Sequence, residues 1–385
     1  MRIAIVGCGY VADMYLSLLK NHPVLELAGV TDRDPARSGR LASGYGTKDY
    51  GSLDRLLADA SVPVVLNLTN PRNHAEVSRL CLDAGKHVYS EKPLATEWTE
   101  AVDLVERAER LGLTIVSAPS TVLGEAAQTA WKAVRDGRIG KPLLAYAEID
   151  DGMVHKENIR AWLSASGNPW PFQDEFEVGC TLEHAGYYVS WLAAIFGPAE
   201  SVTSFASRQI VDKGTDAPLD PPDTPDFSVG CIRFRSGVVA RLTCSIIAAH
   251  DHSLRIFGDG GTLRVHEAWD FASPVTISRW NKYTFRAAKR PILARLVGLG
   301  PKTIPLVRRP DVRSDMPGGN RLDFCRGVVD LVESIRDHRP CRISPRFSLH
   351  VNEIVLTLQE PGKMGSPRQL TTTFEPVEPM PWAVG

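Results

Sequence analysis

The strongest constraint on this chain lies at its start. An apolar run, Arg2 to Val6, leads straight into Gly7-Cys8-Gly9-Tyr10-Val11-Ala12 and then into residues with helical spacing. A Gly-x-Gly-x-x-Gly/Ala pattern between a strand and a helix serves a definite geometry. Gly7 permits the tight turn, Gly9 lets backbone approach a diphosphate, and Ala12 lets helix pack closely on strand. The helix N-terminus then offers unpaired N–H groups to phosphate oxygens. The pattern points to a bound dinucleotide; a ligand-free strand-to-helix turn is the plainer alternative.

Asp32 ends the second apolar run, 23 residues after Gly9. A carboxylate there accepts hydrogen bonds from ribose hydroxyls and repels a 2′-phosphate, which favours NAD over NADP. Arg33 pulls the other way, since a guanidinium stacks on adenine or receives that phosphate. The plainer role for Asp32 is to cap a turn in Asp32-Arg33-Asp34-Pro35.

Beyond the glycine turn, short apolar runs alternate with helical stretches through residue 120. Ile3–Val6, Leu25–Thr31, Val62–Leu68, His87–Ser90 and Leu113–Ser117 have the character of strands. Met14–Asn21, Leu53–Ala60, His74–Ala84 and Ala101–Leu111 have helical spacing. This rhythm predicts a doubly wound α/β domain, a parallel sheet covered on both faces, over residues 1–120. From Pro142 the texture changes. Leu143–Ile149, Val202–Ser207, Phe227–Phe234, Val238–Ile247 and Ser253–Gly258 predict an open, mostly antiparallel sheet in a second, α+β domain over 121–385. A helical segment, Gly179–Phe196, interrupts them and ends at Gly197-Pro198; Leu322–Ile335 and Phe347–Leu358 are helical again.

At 385 residues two domains are the natural expectation. A net charge of −1 gives no pull toward nucleic acid or an anionic membrane. No run of about 18 apolar residues predicts a membrane span, and no leader precedes the first strand, so the expected location is cytoplasmic. The seven cysteines are scattered without metal-ligand spacing, which argues against a disulfide framework and against a metal site. From Lys282 to Arg313, within a Pro-containing insertion at 281–315, nine Lys/Arg stand against one acid, Asp311. That stretch is an exposed loop or subunit-contact arm, or a lid for an anionic substrate such as a phosphorylated or nucleotide-linked sugar.

Ser90-Glu91-Lys92-Pro93 follows the fourth strand, where an open parallel sheet borders its ligand crevice. A lysine there can stabilise the alkoxide that hydride loss requires. A surface lysine is the plainer reading of a Lys-Pro pair.

Gly7–Ala12, Asp32, the turn Thr69-Asn70-Pro71, Glu91-Lys92-Pro93 and the 179–198 segment together resemble the glucose–fructose oxidoreductase/inositol dehydrogenase/rhizopine-catabolism (Gfo/Idh/MocA) family. The resemblance covers about residues 1–270 and 320–360 and omits the basic insertion. It implies a Rossmann domain joined to an open-sheet α+β domain, often oligomerised through the flat sheet as a homodimer or homotetramer. It further implies NAD(P)-dependent chemistry on a sugar, cyclitol or nucleotide sugar. It makes Lys92 the catalytic lysine, and places Tyr10, Val11, Arg33, Thr69, Asn70, Pro71, Glu91 and Lys92 with the glycine turn at the cofactor. The family's Asp-x-Gly-x-His-x-x-Asp pattern is altered: Tyr187 stands at the histidine, Glu183 at the first aspartate, Ser190 at the last. Tyrosine at that place is similar to the dihydrodiol/xylose dehydrogenase branch. Its phenol, near pKa 10, would be helped toward phenolate by Lys92. His184 is the alternative proton shuttle, or a satisfied core histidine. Arg160, Trp162, Trp170 and Glu175, before that helix, and Glu183 are candidates to line the substrate pocket. The altered pattern also leaves room for a catalytically silent dinucleotide-binding subunit, or a redox-neutral enzyme that retains its NAD.

Overall fold

The computed structural model describes residues 1–284, 289–290, 292, 300–311 and 321–384. Strands β1 (Arg2–Val6), β2 (Glu26–Thr31), β3 (Val64–Asn67), β4 (His87–Ser90) and β5 (Ile115–Ser117) form one sheet in the order β2-β1-β3-β4-β5. Every pairing in it is parallel. Its strands are apolar on both sides because both faces are covered. Ile3 and Ile5 of β1 join a cluster with Tyr15, Leu18 and Leu41, while Ala4 and Val6 join another with Leu56, Leu82 and Leu104. Helices α1 (Tyr10–Leu19), α2 (Pro35–Tyr45), α3 (Leu53–Leu57), α4 (His74–Asp83) and α5 (Trp98–Leu111) supply those layers.

The sequence pattern misses α2, and the reason is local. Only Ser38, Leu41 and Ala42 of it are buried, too narrow a stripe to register as periodicity. Its start is nonetheless encoded: Asp34 accepts from Ala36 N, Pro35 occupies the first turn, and Gly46 closes the helix in the left-handed region.

The second sheet has nine strands: β6 (Pro142–Asp150), β7 (Ala199–Ser207), β8 (Phe227–Phe234), β9 (Val239–Ser245), β10 (Leu254–Gly258), β11 (Gly261–Val265), β12 (Val275–Arg279), β13 (Lys302–Ile304) and β14 (Arg368–Gln369). Their order is β13-β12-β11-β10-β6-β9-β8-β7-β14. All neighbours are antiparallel except β6 and β9. Burial alternates along β8 and β9, so one face packs inward and the other does not. The inner face is covered by α10 (Pro345–Gln359) and α6 (Glu125–Arg135), with α8 (Gly186–Phe196) beside α10 and reaching β8 through Phe196 and Phe234, while α7 (Phe172–Val178) leads into α8 and α9 (Arg326–Arg336) packs on β4 of the first sheet. The expected division at residue 120 falls between β5 and α6. Of the basic insertion, the described part includes edge strand β13 and Arg308, which pairs with buried Glu125 at 2.9 Å and stacks over Trp382. The rest of that expectation lies outside the described residues.

α10 is pinned to the sheet by a buried histidine. His350 Nε2 accepts from Ala199 N at 2.9 Å and its Nδ1 lies 2.7 Å from Thr372 Oγ1, which together require the neutral ring. Burial pushes its pKa down to about 4, below the ordinary 6.5. Between those values the unfolded chain binds the extra proton, so stability present above pH 6.5 is lost as pH falls toward 4, by about 3 kcal/mol. Urea titrations at pH 7 and 4.5 should show a smaller acid loss for His350→Gln than for the parent; equal losses refute this.

Candidate active site

At the glycine turn the two glycines have different jobs. Gly7 has φ +95°, and a Cβ there would lie 2.5 Å from Leu68 O. The turn is therefore pressed against the exit of β3, and only glycine fits. Gly9 has ordinary extended backbone and nothing within 4 Å of an added Cβ. That empty space belongs to a cleft lined by Gly9, Tyr10, Val11, Arg33, Arg37, Thr69, Asn70, Pro71, Glu91 and Lys92. The first turn of α1 has no side-chain cap, so its N–H groups face the cleft unclaimed. A diphosphate fits this cradle. Asp32 bends back toward the turn: Oδ2 accepts from Cys8 N at 2.6 Å and Oδ1 from Asp34 N at 2.8 Å. Ala12 is fully buried under the strand.

Two loops past the sheet's carboxyl end are braced from within. Asn67 Oδ1 accepts from Thr69 Oγ1 at 2.7 Å and Asn67 Nδ2 donates to His74 O and Ser78 Oγ. His74 lies between Pro93 O and Thr69 O, at 2.7 and 2.9 Å, and so joins the Thr69-Asn70-Pro71 turn to the Glu91-Lys92-Pro93 turn. Glu91 is buried and spent on the protein: Tyr15 Oη donates to one oxygen at 2.6 Å, Lys92 N to the other at 2.9 Å. Its place is beneath Lys92 rather than free in the cleft.

The second domain meets Lys92 through an unusual helix start. Gly179, at φ +98°, breaks α7; a π turn, Thr181–Ala185, then runs into α8. From this turn Glu183 pairs with Lys92 Nζ. The pair is largely buried, at 17% and 3% exposure. Burial alone would lower the lysine, but Glu183, Glu175 and Tyr187 carry its pKa well above the ordinary value. Tyr187 is buried against Trp269, ring centroids 5.3 Å apart. Its pKa is raised, chiefly by burial; Lys92 pulls it down, while Glu91, Glu183 and Glu175 push it up. The expected drift toward phenolate is thus reversed, because desolvation of the phenolate prevails over the ammonium. Glu175, on the cleft wall, is pushed well above the usual carboxylate range by desolvation and Glu183.

His184 points elsewhere. Its Nδ1 lies 2.9 Å from Asp151 Oδ2 and its ring packs against Trp269. Its pKa is raised, burial opposing and Asp151 prevailing. Asp151 continues to His252 Nε2 at 2.8 Å, His252 Nδ1 to Glu267 at 2.9 Å, and Glu267 to His250 at 3.3 Å. Sequence reasoning missed this chain, whose members come from the end of β6, the approach to β10 and the exit of β11 with no compact motif between them. It missed Asn168 as well, whose Nδ2 donates to Cys8 O at 3.1 Å and clasps the 157–171 loop to the glycine turn. Of the other candidates, Arg160 is an exposed partner of Asp216, away from the cleft. Trp162 and Trp170 stack on one another at 5.0 Å, and Trp170 on Phe176, as anchors of that loop.

A parallel nucleotide-binding sheet, an uncapped glycine turn and a buried Lys–Glu pair define a dinucleotide-dependent oxidoreductase. Residues 1–118 match the family model described as "Oxidoreductase family, NAD-binding Rossmann fold", and residues 127–264 match the GFO/IDH/MocA C-terminal domain. The chain belongs to the Gfo/Idh/MocA oxidoreductase family. It is 26% identical over 272 residues to trans-1,2-dihydrobenzene-1,2-diol dehydrogenase of Mus musculus, covering 70% of this chain and 75% of that one. It is 35% identical over 114 residues to 4-carboxy-2-hydroxymuconate-6-semialdehyde dehydrogenase of a Sphingobium strain, 29% of this chain and 36% of that one. In fold it is similar to an Agrobacterium radiobacter oxidoreductase solved with NAD+, L-tartaric acid and magnesium (TM-score 0.74, 15% identity, 96% and 98% of the two chains). It is likewise similar to aldose-aldose oxidoreductase of Caulobacter crescentus (0.73, 17%, 96% and 99%). Among the described residues no helix is long and apolar enough to cross a membrane.

The glycines give a paired expectation. Gly7→Ala should cost about 2 kcal/mol or more through strain and the Leu68 clash. Gly9→Val should keep the parental melting temperature yet lose dinucleotide binding in a fluorescence titration. Parental affinity in Gly9→Val would remove the diphosphate from this turn.

Proposed function

We propose that the chain transfers a hydride between a nicotinamide dinucleotide, NAD rather than NADP, and a carbinol or carbonyl carbon of a sugar-like polyol. The reading rests on one observation: Lys92, from the turn after β4, and Glu183, from the second domain, form a buried ion pair on the wall of the glycine-turn cleft, and Tyr187, four residues beyond Glu183, feels the field of Lys92. The dinucleotide, when bound, supplies the hydride donor or acceptor. Gly7, Gly9 and the first turn of α1 hold its diphosphate, and Asp32 receives a ribose hydroxyl. Thr69, Asn70 and Pro71 line the passage to Lys92.

Lys92 stays protonated, so it acts as a fixed ammonium that stabilises an alkoxide oxygen rather than as a base. Glu183 orients Nζ. Tyr187 keeps its proton at Oη and donates it to the substrate oxygen when a carbonyl is reduced. In the oxidation direction Glu175, on the cleft wall with a pKa raised to about 7, is the group we assign to take the proton on. Glu175 and Glu183 accept from neighbouring substrate hydroxyls, which suits a neutral polyol; the murine relative is named for a vicinal diol. The outer face of the nine-stranded sheet carries Leu144 and Phe205 at 40% and 58% exposure, and we read it as covered by another copy of the chain.

Lys92→Met should lower turnover on a polyol panel roughly 10³-fold while NAD affinity holds within a few fold. Turnover that survives the substitution discards this role. Tyr187→Phe should act in the same direction. For the cofactor, NAD+ should bind more tightly than NADP+, and Asp32→Ala should narrow or reverse that preference by about tenfold, because Arg33 and Arg37 remain to meet a 2′-phosphate. Tighter NADP+ binding by the parent would overturn the assignment.

A further inference from the structure

We propose that Asp151, His250 and His252 form a binding site for a divalent transition-metal ion of the zinc class, next to the Lys92–Tyr187 cleft. One ligand atom from each lies within 4.8 Å of the other two. Ligands bound at about 2.1 Å stand roughly 3.4–4.2 Å apart, so a side-chain adjustment closes the three onto one ion. Asp151 sits just past the end of β6, and both histidines precede β10 on the neighbouring strand's approach. The register of the sheet thus brings together residues about a hundred positions apart.

The surroundings are those of a metal ligand set. His252 has Nε2 at 2.8 Å from Asp151 Oδ1 and Nδ1 at 2.9 Å from Glu267 Oε1, while the other oxygen of Glu267 lies 3.3 Å from His250 Nε2. A carboxylate holding the far nitrogen of a ligand histidine fixes its ring and tautomer. Asp151 is only 10% exposed at its side chain, and its other oxygen, Oδ2, is ion-paired with His184 Nδ1 at 2.9 Å, which fixes the carboxylate at the cluster. Two imidazoles and one carboxylate suit zinc and its transition-metal neighbours rather than magnesium or calcium, which take oxygen cages. Three protein ligands leave a position open to water or a substrate oxygen. Trp269 packs between this cluster and Tyr187, its ring centroid 4.4 Å from that of His252 and 5.3 Å from that of Tyr187.

The test is binding, read without dinucleotide or substrate, so it stands apart from the hydride-transfer reading. Chelator-stripped full-length protein is titrated with Zn²⁺ by calorimetry and with Co²⁺ by visible absorption. One ion per chain with micromolar or tighter affinity is expected. His250→Ala, at a half-exposed site that folding does not depend on, should weaken binding by at least about tenfold, and Asp151→Asn likewise. His338→Ala, outside the cluster, should bind as the parent does. Absence of Zn²⁺ uptake by the stripped parent overturns the proposal and leaves an ion-pair chain. Parental affinity in a His250→Ala protein of unchanged melting temperature overturns it too.

Discussion

The buried Lys92–Glu183 pair is the contact on which the rest of the architecture converges. Its two members come from different domains, Lys92 from the turn after β4 and Glu183 from the π turn before α8, and neither is solvated well enough to stand alone. Stranding one such charge costs on the order of 3–5 kcal/mol, so the pair joins the domains at one place and in one orientation. The supports beneath it follow from that demand. Glu91 is consumed by Tyr15 and by the Lys92 amide, and His74 ties the lysine's turn to the neighbouring loop. The ammonium is held by the backbone below and the carboxylate opposite.

The clasp over the glycine turn works by the same economy of contacts. Asn168 reaches Cys8 O, Ser166 N and Oγ donate to Asp13 at 3.1 and 2.7 Å, and Asn70 Nδ2 donates to Asp174 at 2.5 Å. Each bond crosses from the second domain to the first at the rim of the cleft. The loop bearing Trp162 and Trp170 therefore closes the dinucleotide end by hydrogen bonds to α1, while its aromatics secure its own base. Sequence alone suggests those tryptophans as sugar platforms or as anchors of the loop; their contacts with each other and, edge-on, with Phe176 supply the anchoring.

What was legible in the sequence was what burial writes strongly. β1 to β5 are apolar on both faces and bounded by turn residues, so the strand-helix alternation and the parallel sheet were recoverable. β8 was legible to the residue because its alternation is complete. Strands β11 to β14 are short and lie toward the sheet's two edges, where little apolar period develops, and α6 is built on Ala126, Ala127, Ala130 and Ala133. At the site, Lys92 and the glycine turn were legible because local geometry demands those residues. Asp151, His250 and His252 were not, because only β6–β10 pairing brings them together.

The direction of the tyrosine's shift has a wider consequence for recognition. The expectation that a cation beside a phenol makes it acidic treats the two groups as a pair. Here burial keeps the proton on Tyr187, with Glu91, Glu183 and Glu175 adding to it, and Glu183 and Glu175 keep the proton on Lys92. The oxygens of Glu175 and Glu183 on the cleft wall can accept from hydroxyls, while Glu175 is held toward its neutral form and Glu183 is paired with Lys92. The guanidinium groups of Arg33 and Arg37 lie on the same cleft with the glycine turn, at the end suited to a cofactor phosphate. The cleft thus carries its unpaired cations at the glycine turn and a nearly balanced set of charges around Lys92.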